Sequence, residues 1–222
     1  MTCSLNDQVP SEVNADHLFV GSKGLVSFRE LPAITIEEVL VCINSSRQRK
    51  ASDDRREVLL NAMTKFRNAL IQYREFNARL DEPRVENEPQ LDQLDTETTS
   101  TDLEVFFENF FDHPSHRLAV YGTLKPNGSN AAQLAGIEGD WSEGNVHGIV
   151  EQPGEYLEFT WDVSAPPVSV MVFSGPRLNE HFDRLDDFEG PDYQRTLVPV
   201  DIDGMIHVCN IYEGKRRKKT HA

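Results

Sequence analysis

From Ser52 to Leu80 the chain repeats large apolar residues at alternating steps of four and three: Leu59, Met63, Phe66, Leu70, Tyr73 and Leu80, with Asn77 at the vacant position. That spacing puts them along one side of a helix about three heptads long. Ser52 or Asp53 is expected to cap it, with acidic residues in its first turn where the helix dipole favours them. A helix of this kind must bury its stripe. A second helical pattern lies just before it, where Ile36, Val39, Leu40 and Ile43 share a face and Thr35 with Glu38 suggests the start. The two are expected to form an antiparallel hairpin ending at a polar break from Asn44 to Lys50. A second copy of the chain is expected to cover what remains of the stripe, so a homo-oligomer through residues 52–80 is anticipated.

Immediately afterwards the composition changes. Residues 81–101 hold seven acids, the single base Arg84, Pro83 and Pro89, and end in a Thr/Ser-rich run. Too little apolar surface is present there to offset backbone ordering. The expected division is therefore a mainly helical region at 1–80, an acidic flexible linker at 81–101, a second domain at 102–214 and a basic tail at 215–222. Thr101 and Glu104 suggest a capping box opening a short helix, with Leu103, Phe106, Phe107, Phe110 and Phe111 apolar. Short strands around 17–20 and 25–28 are read from weaker patterns.

The second domain reads as strand-rich, with strands at 117–121, 146–151, 156–160, 168–174, 195–202 and 205–212 and one helix at about 177–187. Asp203-Gly204 marks a two-residue hairpin. Several strands with one helix suggest a small mixed barrel, an α+β fold.

The net charge of −15 argues against broad contact with nucleic acid. Five consecutive cations at 215–219 leave −20 on the preceding residues; the tail could touch RNA or a partner's acidic face, but a solvated, frayed terminus is the expected state. No apolar run approaches the ~20 residues of a membrane span, and the first residues have neither the basic start nor the apolar core of a secretory leader. Cys3, Cys42 and Cys209 are odd in number, far apart and without a Cys-x-x-Cys. These features point to reduced thiols, a cytoplasmic setting and no zinc site.

Two stretches stand out as a candidate site. Leu118, Ala119, Val120 and Tyr121 form an apolar strand that runs into Gly122-Thr123-Leu124-Lys125-Pro126. Gly122 there is expected to adopt backbone angles closed to other residues and to let a ligand approach the main chain. Some 65 positions on comes Leu185-Asp-Asp-Phe-Glu-Gly-Pro-Asp-Tyr-Gln-Arg195. Glu189, flanked by Phe188 and Gly190-Pro191, is placed for an apolar setting that would raise its pKa and suit it to general acid/base work. Taken with Gly139-Asp140-Trp141 and Gly144-x-Val146-x-Gly148, these stretches make residues 117–214 resemble the gamma-glutamylcyclotransferase-like family.

The resemblance implies a compact αβ barrel with a pocket at one end, in which a γ-glutamyl amine, amide or peptide is cyclised to 5-oxoproline without metal or cofactor. It assigns Glu189 as the catalytic acid/base and Tyr121, Gly122, Thr123 and Leu124 as the substrate-binding loop. Tyr193 and Arg195 match a Tyr-x-Arg pair and are expected to brace Glu189. Asn127 stands where the family has glycine and Ala131 where a histidine often falls, which bears on the substrate more than on the chemistry. The alternative is a non-catalytic small-molecule-binding or protein-interaction module using the same pocket and the N-terminal helices. His147 and His207 read as structural, and Ser129 lacks the partners of a serine hydrolase.

Overall fold

The computed structural model describes residues 31–78 and 99–215, except the side chains of Leu70 and residues 73–78. Three helices come first: α1 (Ala33–Arg47), α2 (Ser52–Ala78) and α3 (Ser100–Phe110). Six strands follow: β1 (Arg117–Val120), β2 (Asp140–Glu151), β3 (Glu158–Trp161), β4 (Pro167–Ser174), β5 (Tyr193–Ile202) and β6 (Met205–Gly214). A fourth helix, α4 (Phe182–Glu189), lies between β4 and β5. Among the described residues no helix is long and apolar enough to cross a membrane. The strands at 17–20 and 25–28, most of the 81–101 linker and all but Lys215 of the basic tail fall outside the described residues.

The strands follow the order β3-β2-β4-β1-β6-β5, and a further β2–β5 pairing closes five of them into a barrel. Within this α+β fold β1 is parallel to β6, while the other neighbours run antiparallel. Closure is tight where Gly144 passes β5: a Cβ there would come within 2.8 Å of Val200 Cγ1. The β5–β6 hairpin turns at Asp203-Gly204, both at positive φ (53° and 81°), as two-residue hairpins require. Val146, Val170, Val172, Val198, Val200 and Ile211 fill the barrel.

Several element boundaries differ from the sequence reading. α1 runs on through Arg47 because its polar end finds partners inside the protein. Asn44 Nδ2 donates to Leu197 O at 2.8 Å, and Leu197 N donates to Asn44 Oδ1 at 2.7 Å. β5 pairs with β2 only at Asn145–Asp201, so Asn44 occupies the backbone edge that the neighbouring strand leaves open at Leu197. Thr35 does not cap α1, which opens after Pro32 without a side-chain cap. Ser52 is the first residue of α2, with Arg55 N donating to Ala51 O.

The capping box of α3 is Thr99 with Asp102, two residues before the expected pair. Thus the last three residues assigned to the linker form the cap and first turn of a helix. α3 then buries Leu103, Phe107 and Phe110 in one cluster with Ile36, Val39 and Leu40 of α1, Leu59, Met63 and Phe66 of α2, and Leu197 and Val208 of the barrel. Phe66 and Phe110 meet edge to face at 4.4 Å between centroids. The first half of the α2 stripe is thereby core within the chain.

β2 begins at Asp140, six residues earlier than expected, because its polar start is half exposed while pairing with β4 along Asp140–His147. The helix expected at 177–187 is a 3₁₀ turn at Leu178–His181 followed by α4, which extends to Glu189. Glu189 therefore belongs to the helix, as its last residue, instead of lying beyond it.

Candidate functional site

A cavity of about 680 Å³ opens where β1 ends. Four segments meet there: the Tyr121–Leu124 loop, the C-terminal end of α4, the first residue of β5 and the connection from β2 to β3. The loop is shaped by the next few residues. Asn127 takes φ 65°, the left-handed geometry for which glycine is the usual choice and asparagine the next. Gly128 N donates to Lys125 O, and Asn130 folds back with its backbone N on Thr123 O and Nδ2 on Thr123 Oγ1 at 2.9 Å.

Gly122 is not in the left-handed region, contrary to the sequence expectation. A Cβ there would point into open space, with nothing within 4 Å. The main chain is therefore bare at this point of the cavity. Among the described residues, the N–H groups of Gly122, Thr123 and Leu124 donate to no acceptor.

Glu189 is the last residue of α4 and lines the same cavity. Gly190 ends the helix at φ 73°, ψ −169°, a conformation essentially confined to glycine. Among the described residues the Glu189 carboxyl has neither a hydrogen bond nor an ion pair. Burial alone pushes its pKa up to about 7. An acid titrating there changes protonation state readily at neutral pH.

Tyr121, Tyr193 and Tyr212 line the cavity with it. Tyr193 donates to Leu157 O at 2.9 Å, while Tyr121 accepts from Phe159 N at 3.2 Å. Burial raises the pKa of both phenols, so both are neutral. Together they fix the wall formed by Leu157. The third, Tyr212, donates to Asp186 Oδ1 at 2.7 Å.

Arg195 does not line the cavity. Its guanidinium grips Asp186 with two hydrogen bonds, of 2.9 and 3.1 Å, and lies 4.0 Å over the Phe182 ring. It thereby holds α4 from behind. Its third nitrogen donates to Asn210 Oδ1 at 3.3 Å, the same oxygen that Arg47 of α1 reaches at 3.2 Å. Tyr121, Gly122, Thr123, Leu124, Glu189 and Tyr193 are thus brought together around one cavity, and Arg195 stands one layer behind. His147 lies outside the cavity, exposed, with Nδ1 2.7 Å from Ala165 O.

Sequence reasoning missed Asn130, Tyr156, Leu157 and Tyr212. The last was within reach: the Asp203-Gly204 turn fixes the hairpin register and sets Tyr212 opposite Arg195. Asn130 sits in a turn, where no periodicity marks it, and Tyr156 and Leu157, read as the start of a strand at 156–160, lie in the connection before β3, which begins at Glu158.

No family model matches the chain. No curated protein matches it either. Among solved structures, YkqA of Bacillus subtilis is similar over 45% of this chain and 36% of its own length, at 23% identity and a TM-score of 0.39. An aig2-like protein of Mus musculus matches 47% of this chain and 80% of its own at 22% identity, with a TM-score of 0.37. An uncharacterized protein of Pyrococcus horikoshii matches 46% and 79% at 20% identity, with a TM-score of 0.34.

Proposed function

We propose that this chain is a gamma-glutamylcyclotransferase-like enzyme that closes a γ-glutamyl amine, amide or peptide into 5-oxoproline. The carrying observation is the unpartnered Glu189 carboxyl, its pKa raised by burial to about 7, in a cavity that the Gly122–Leu124 loop with its free N–H groups also lines. A γ-glutamyl compound brings its own nucleophile, the α-amino nitrogen, within five-ring distance of the γ-carbonyl. The substrate's α-carboxylate sits on the loop N–H groups, and Glu189 accepts a proton from the α-ammonium. The freed nitrogen attacks the γ-carbonyl carbon, forming the lactam C–N bond. The C–N bond to the leaving amine breaks as Glu189 returns that proton to the leaving nitrogen, and the second proton shed by the attacking nitrogen also passes to the amine, which departs as an ammonium ion. Ring closure within one molecule removes several kcal/mol of entropic barrier, so one proton-transfer group and a few oriented donors suffice. Tyr193 keeps the wall beside Glu189 in place, and Arg195 keeps α4 seated.

The test is a screen of γ-glutamyl donors for 5-oxoproline release. Release from at least one donor supports the reading. Binding of γ-glutamyl ligands without release from any of them supports the non-catalytic module instead.

A further inference from the structure

We propose that the outer half of this cavity selects an apolar leaving amine with no carboxylate of its own, an inference that rests on the cyclisation reading above. A five-carbon γ-glutamyl group fills only part of about 680 Å³, a size that accommodates a much larger ligand. Large apolar side chains left partly in water also line the cavity. Tyr156 (58% exposed) and Leu157 (38%) come from the β2–β3 connection, and Phe188 (39%) comes from α4 beside Glu189. Apolar side chains gathered at the mouth of a cavity mark a surface that a ligand covers. This wall is fixed by Tyr193, through its bond to Leu157 O.

Charge narrows the class further. The charged residues lining the cavity are Glu155 and Glu189, and no Lys, Arg or His lines it among the described residues. The α-carboxylate of the γ-glutamyl group has the loop N–H groups to meet it. A second carboxylate, on the leaving group, would find no cation and would face Glu155. An aryl or alkyl amine would instead cover the three apolar side chains.

The experiment uses the full chain and two donors sharing the γ-glutamyl group, γ-glutamyl benzylamide and γ-glutamyl glutamate. The kcat/KM for 5-oxoproline release is expected to favour the benzylamide by at least about tenfold, the discrimination that an apolar contact supplies. Phe188→Ala with Tyr156→Ala should shrink that ratio, and Glu155→Lys should shrink it by raising the glutamate donor. Equal rates, or preference for the carboxylated donor, overturn the inference and leave cyclisation standing. If neither these nor other donors react, cyclisation fails; calorimetry on the same two ligands then decides the inference, which equal or absent binding also overturns.

Discussion

Glu189 and Gly122 contribute to the cavity in opposite ways, one by a charge with no partner and the other by the lack of a side chain. Because the folded carboxyl titrates near 7 while an unfolded glutamate titrates near 4.5, the folded chain holds the proton more tightly between those values. This contribution to stability is present below about pH 4.5 and is lost as pH rises through 7. Glu189→Gln should therefore flatten the stability profile across that window, measured by denaturant unfolding at several pH values. In the wild type, kcat/KM for 5-oxoproline release should rise through an apparent pKa near 7, as the free base form appears. A flat profile there would remove Glu189 as the base. Gly122→Ala places a methyl group in open space without backbone strain. The variant should fold as the wild type does yet lose ligand affinity by tenfold or more, measured by calorimetry. That both residues line one cavity was legible from their neighbours in sequence. Gly122's conformation was not, because a backbone angle is set by the loop that follows and not by the residue type alone.

At the scale of elements, the decisive contact is α1 against β5. Asn44 supplies a donor and an acceptor to one residue of a strand edge, doing for Leu197 what a neighbouring strand would do. Asn44→Ala leaves that buried N–H and C=O without partners, at about 1–3 kcal/mol for each group. A fall in the thermal midpoint of several degrees is expected; an unchanged midpoint would show that the seam needs no plug. The sequence pattern hid this contact. A polar residue at the end of an apolar stripe reads as a helix stop, and only the docked strand shows what it bonds. Where partners are local, the reading is far closer: the Asp203-Gly204 turn specifies its own hairpin, and with it the pairing of Arg195 with Tyr212. The 3₁₀ turn before α4 was likewise hidden, since Leu178, Phe182 and Leu185 are buried whether or not the helix is continuous.

Across the whole molecule, the helices serve as a wall of the barrel's surroundings. Phe66, Phe107, Leu197 and Val208 share one core, so Phe66→Ala should cost about 3–5 kcal/mol and lower the unfolding midpoint of the barrel with that of the helices. Separate transitions would contradict the shared core. Through Arg47 and Asn210 the same helices also reach the guanidinium that seats α4. In the proposed reaction one carboxyl, that of Glu189, moves the protons of a γ-glutamyl cyclisation. The most direct measurement follows 5-oxoproline release and γ-glutamyl ligand binding on the same preparations of wild type and Glu189→Gln. The account predicts binding by both and release reduced at least ~100-fold in the variant. Release at the wild-type rate from a folded Glu189→Gln protein would contradict it.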